Sequence, residues 1–138
     1  MTNYLPFRKI YATEEIFKQT REHFKTELEA FKRYAEFLSL RKGNVKVESN
    51  KAGSYMNYLV RSIIFYEEIF KEPFPPFDSL EAHQAVEMLK NIPTFKDFNT
   101  SESRFMSASI NAFQSYVIQI NALYEHSIDY QIDQQIFT

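Results

Sequence analysis

Apolar side chains recur at helical spacing along most of this chain, and the polar stretches between them are short. Phe17, Phe24, Leu28, Phe31, Ala35 and Leu38 fall at intervals of 7, 4, 3, 4 and 3, one stripe down a helix. Thr13, ahead of Glu14 and Glu15, supplies an N-cap and two carboxylates for the positive end of the helix dipole. Arg41 and Lys42 suit the opposite end and Gly43 the position after it. The pattern predicts one helix from about Glu14 to Arg41.

"GNVKVESNKAG" reads as a polar loop; its "VKV" alternates, but no second strand exists for it to pair with. In "GSYMNYLVRSIIFYEEIFKEPFPPF", Met56, Leu59, Ile63, Tyr66 and Phe70 share a face that Tyr55, Val60, Ile64 and Ile69 widen. So broad an apolar face predicts a central helix with several neighbours. Pro73, Pro75 and Pro76 end it by removing amide donors. "DSLE" opens a third helix, with Asp78 as cap, Glu81 three residues on, and Leu80, Ala82, Val86 and Leu89 as the buried side. "NTSE" repeats the signal at Asn99 and Glu102 before a fourth, long helix carrying Phe105, Met106, Ile110, Phe113, Val117 and Ile120. The tail "EHSIDYQIDQQIFT" is expected to fray or to dock as a short extension. The expected architecture is all-α: one domain over 1–138, a bundle of four main helices with a short C-terminal extension.

Composition sharpens this picture mainly by exclusion. The 14 Phe and 9 Tyr of 138 residues point to a phenylalanine core with tyrosines at its polar margin. The absence of cysteine closes disulfides, thiolate catalysis and Cys-ligated zinc. Only Gly43 and Gly53 are present, and neither a phosphate loop nor a nucleophile elbow occurs. His23, His83 and His126 stand singly, with none of the Glu-x-x-His spacing of a carboxylate metal centre. No catalytic residue, metal or cofactor is expected. The N-terminus has no apolar signal core and no run reaches membrane-spanning length, so a cytoplasmic protein without membrane association is expected.

Charge is what suggests a partner. The net charge is −2, yet residues 1–66 hold 12 Lys+Arg against 7 Asp+Glu, and residues 67–138 hold 4 against 11. Arg41, Lys42, Lys46 and Lys51 cluster around the polar loop, and Arg61 lies two turns into the second helix. With Ser54 and Asn57, Arg61 falls at spacings of 3 and 4, a polar strip flanked by Tyr58. Facing outward, such a set suits phosphate contact, with Asn57 and Tyr58 toward a groove. Read instead as a solvated edge, the same residues keep the surface soluble.

The order of three segments carries a resemblance. "LEAFKRYAEFLSLRKG", "SYMNYLVRSIIFYEEIF" and "FKDFNTSESRFMSASINAFQSYV", within residues 28–120, resemble the N-terminal core-binding helical domain of tyrosine recombinases and phage integrases. "SASINAFQSYV", Ser107 to Val117, matches the family's last element best. Similar modules stand at the N-termini of some restriction-type enzymes. The resemblance implies a helical clamp on one face of double-stranded DNA, with the chemistry in a separate domain. This chain departs from the family in its acidic second half, where Arg104 is the one cation at the last long helix.

Two expectations follow. The first is a non-catalytic DNA-binding module using Arg41, Lys42, Lys46, Lys51, Asn57, Tyr58 and Arg61, an accessory factor in recombination or restriction of a mobile element. The second is a protein-binding module, including a phage-type inhibitor, that docks through its acidic half at Glu67, Glu68 and Glu72. Self-association into a homo-oligomer through the aromatic surplus is a further outcome.

Overall fold

Twenty residues, Lys51–Phe70, form the helix around which the others pack. The computed structural model describes residues 3–41 and 51–136, and side chains over 3–38 and 51–122. The described residues are all-α, without strands: α1 (Glu15–His23), α2 (Lys25–Arg41), α3 (Lys51–Phe70), α4 (Leu80–Lys90), α5 (Phe95–Ser101) and α6 (Phe105–Ile136). "VKV" lies outside them. As its wide apolar face requires, α3 touches α1, α2, α4 and α6, and Leu59, Val60, Ile63, Ile64 and Phe65 are all buried.

Six helices stand where the pattern predicts four, and packing explains both additions. The first predicted helix breaks at Phe24, with no proline or glycine to cause it. The Phe24 ring stacks on Phe77 at 5.6 Å and meets Phe74 edge-on at 6.4 Å. Bending there lets Phe17 reach the core from α1 while Leu28 and Phe31 reach it from α2. The second addition, α5, precedes a tight turn in which Ser103 and Arg104 adopt left-handed φ values of 55° and 65°. Such values are unfavourable for non-glycine residues. The Arg104 amide donates to the Asn99 carbonyl at 2.8 Å, and the Asn99 side chain accepts from the Ser107 amide at 2.9 Å. Asn99 therefore does cap the last long helix, but from inside α5.

Smaller corrections have local causes. Glu14, not Thr13, precedes α1, and its carboxylate accepts from the Tyr11 amide. The α4 cap is Ser79 rather than Asp78; its hydroxyl accepts from the Ala82 amide at 3.2 Å, satisfying a first-turn donor. That register leaves Leu80 56% exposed and buries Ala85 instead. At the other end of the chain α6 continues as one helix of 32 residues, so the expected short extension is part of its backbone.

Two aromatic knots hold the arrangement. Phe113 lies within 5.1–6.4 Å of Phe31, Phe74, Phe77 and Tyr116, joining α2, the proline turn and α6. Phe7 meets Phe65, Phe95 and Phe98 at 5.1–5.6 Å, so the segment before α1 acts as a strap across α3 and α5. Polar contacts tie several of the seams between helices. Buried Ser109 donates from α6 to the Tyr55 carbonyl of α3 at 2.6 Å. Gln114 of α6 donates to Glu87 of α4 at 2.8 Å, a bond that, with Lys90, holds the Glu87 carboxyl below its usual range. No buried side-chain nitrogen or oxygen is left without a partner among the described residues, as a low-dielectric interior demands.

Candidate functional site

Of the set expected to meet phosphate, the described side chains are those of Lys51, Asn57, Tyr58 and Arg61, all on α3. Arg41 is the last residue of α2; its side chain, Lys42 and Lys46 lie outside the described residues. Lys51 is exposed in the first turn of α3, while Ser54, Asn57, Tyr58 and Arg61 are all half-buried. Arg61 turns toward the strap rather than toward solvent. Its Nε donates to the Ile10 carbonyl at 2.7 Å, and its guanidinium lies 5.3 Å from the Phe17 ring and 4.7 Å from Tyr58. A planar, weakly hydrated cation fits that place, where an ammonium could not satisfy carbonyl and rings together.

Tyr58 is equally engaged. Its ring stacks on Phe105 at 5.5 Å and 9°, and its hydroxyl donates to Glu102 at 3.1 Å. Burial, then the Glu102 charge and hydrogen bond, push the phenol above its ordinary value against the opposing pull of Arg61. Burial likewise raises Tyr66, helped by its bond to Glu72, and Tyr116. For each, the folded-state value exceeds the unfolded one near 10. Their contribution to stability is therefore complete below about pH 10 and lost as pH rises through the folded values. The thermal unfolding midpoint should fall steeply above about pH 10, and less steeply once these three tyrosines are replaced by phenylalanine. Identical slopes in the two proteins would contradict this assignment.

The acidic set also serves the fold. Glu67 accepts from the Phe74 amide at 3.0 Å, closing the turn after Lys71, whose φ is 58°. Glu68 pairs with Arg8 of the strap at 2.8 Å. Glu72, exposed, accepts from the Tyr66 hydroxyl at 3.1 Å.

What the fold adds is a face around the proline turn. Phe74 and Phe77 tuck into the core, leaving Pro73 and Pro76 exposed. Pro76 lines two clefts. One, of about 330 Å³, is lined by Phe24, Phe77, Tyr116 and Ile120, with Glu27 and Asp78 among its residues. The other, of about 400 Å³, runs along α4 past Pro75, Ala85 and Met88, with Glu72 and Glu81. Neither is lined by a lysine or arginine. Leu80 and Met88 are 56% and 44% exposed, eight residues apart on the outer side of α4. Sequence reasoning missed this face because its residues come from α2, the turn, α4 and α6. The one local signal was Leu80, whose burial the pattern had assumed.

Among the described residues no group of three or more histidine and carboxylate side chains comes together to hold a metal ion. Nor is any described helix long and apolar enough to cross a membrane. Comparison of the chain with protein-family models, curated proteins and solved structures finds no match.

Proposed function

We propose that this chain is a non-catalytic binding module that docks on a protein partner through the proline-turn face, which its acidic half forms together with α2. The observation that carries this reading is the pair of apolar clefts sharing Pro76 and edged by carboxylates, with exposed Met88 in the lining of one and exposed Leu80 on the same helix. Exposed apolar side chains grouped beside concave surface are what a docking site needs and what a bare solvated helix lacks. In this role Glu72 contributes to the docking edge, whereas Glu67 and Glu68 shape the turn and the strap behind it.

The test is affinity capture from a lysate of the native host, comparing the natural chain with a Leu80→Glu, Met88→Glu variant. Both positions are more than 40% exposed, so the variant is expected to fold and to lose the captured protein. Equal capture by the two, or none by either, would sink the reading.

Duplex DNA is the second reading, favoured by exposed Lys51 at the start of α3, beside the sequence segment of Arg41, Lys42 and Lys46. It would make the chain an accessory DNA-contacting factor. A titration against duplex DNA at two salt concentrations, with Lys51→Glu as the variant, separates it: binding that weakens with salt and with the substitution supports DNA.

A further inference from the structure

Resting on the protein-docking reading, we infer that the proline-turn face takes a cationic amphipathic segment of its partner, one whose apolar side chains enter the two clefts while its lysines or arginines meet the carboxylates at their edges. Four carboxylates stand at these clefts: Glu27 and Asp78 at one, Glu72 and Glu81 at the other. All four are exposed. None is in an ion pair among the described residues, where the pairs involve Glu14, Glu68 and Glu87 instead. Glu72 alone is hydrogen-bonded, to a neutral phenol.

Arg33 is the cation whose charge reaches Tyr116 in the first cleft, and there it is opposed by Asp78 and Glu27. α4 carries His83, half-buried, and Lys90, which is already paired with Glu87 at 3.1 Å and turned to Asn111 and Gln114 of α6. An approaching segment therefore meets four exposed carboxylates, none of them ion-paired among the described residues, around apolar walls. That combination favours a cationic amphipathic occupant and repels an acidic one, including nucleic acid. Pro76 lines both clefts, and the proposed segment crosses it to reach both.

A synthetic helical peptide of leucine and lysine, apolar on one face, is the probe. Its affinity is read by titration, and its position by the methyl resonances of the methionines. The Met88 methyl, exposed in the second cleft, should shift on binding, while that of fully buried Met106 should not. Replacing Glu27, Asp78 and Glu81 together by lysine should weaken binding about tenfold. The same reversal at Glu22, Glu29 and Asp97, exposed residues outside the clefts, should change it less than about threefold. Met88→Gln provides a variant that leaves the charge alone and should weaken binding about threefold. A peptide with serine in place of leucine should bind at least about tenfold more weakly.

Equal losses from the two charge reversals, equal binding of the serine peptide, or an unmoved Met88 methyl would each overturn the proposal. If the leucine–lysine peptide fails while lysate capture still depends on Leu80 and Met88, the cationic occupant is wrong and the docking reading stands. If capture is indifferent to those residues, the docking reading itself falls.

Discussion

Truncating Phe113 to alanine is expected to destabilise the fold by about 3–5 kcal/mol, the largest effect of any single substitution considered for this chain. The ring is fully buried and touches four other aromatic rings drawn from α2, the proline turn and α6. Removing it loses the transfer energy of a phenyl group and leaves a void. Phe31 is held by α2 and Phe74 and Phe77 by the proline turn, so they cannot close that void together. Phe113→Leu, which keeps most of the volume, should cost about 1–2 kcal/mol. Urea denaturation would show the difference as a lowered midpoint at unchanged slope. A loss under about 1 kcal/mol for the alanine variant would mean that the knot is not as packed as its ring geometry indicates. Because Phe77 and Tyr116 also line a cleft, the alanine variant should lose partner binding along with stability.

The second large effect is expected at Arg61, through stability rather than through any lost phosphate contact. Arg61→Ala should cost about 2–3 kcal/mol, combining a charged hydrogen bond to the Ile10 carbonyl with its contacts to Phe17 and Tyr58. Lysine is not expected to rescue it, since a point-like ammonium cannot donate in the guanidinium plane while covering both rings. The loss should be local as well as global. Without Arg61 the strap around Phe7 and Ile10 loses its tie to α3, so hydrogen exchange of its amides should accelerate most. Full protection of the strap in Arg61→Ala would refute this role. The consequence for function is direct: weakened DNA binding in an Arg61 variant would reflect a loosened fold, which makes exposed Lys51 the cleaner probe.

The fold was legible wherever local periodicity and burial coincide. The stripe through Leu59, Ile63 and Tyr66 identified the central helix, and the prolines after Phe70 marked its end, because an apolar face and a missing amide act on their own neighbours. The break at Phe24 was not legible. Its cause is a ring stacked on Phe77, more than fifty positions away, and nothing in "REHFKTE" signals it. The strap was missed for the same reason: "LPFRKIY" has no helical period, yet Phe7 and Ile10 are 2% and 3% exposed.

The candidate site divides along the same line. Sequence alone determined that the chain is helical, rich in phenylalanine, without cysteine, and split into a basic and an acidic half. These are properties of residue type and spacing, which no packing can alter. Only the tertiary structure decided which charges remain available. It directed Arg61 onto Ile10 and Glu68 onto Arg8, and it left Glu27, Asp78 and Glu81 exposed around apolar clefts. A charge is free for a partner only when no neighbour brought up by the fold has satisfied it, and those neighbours lie tens of residues distant along the chain.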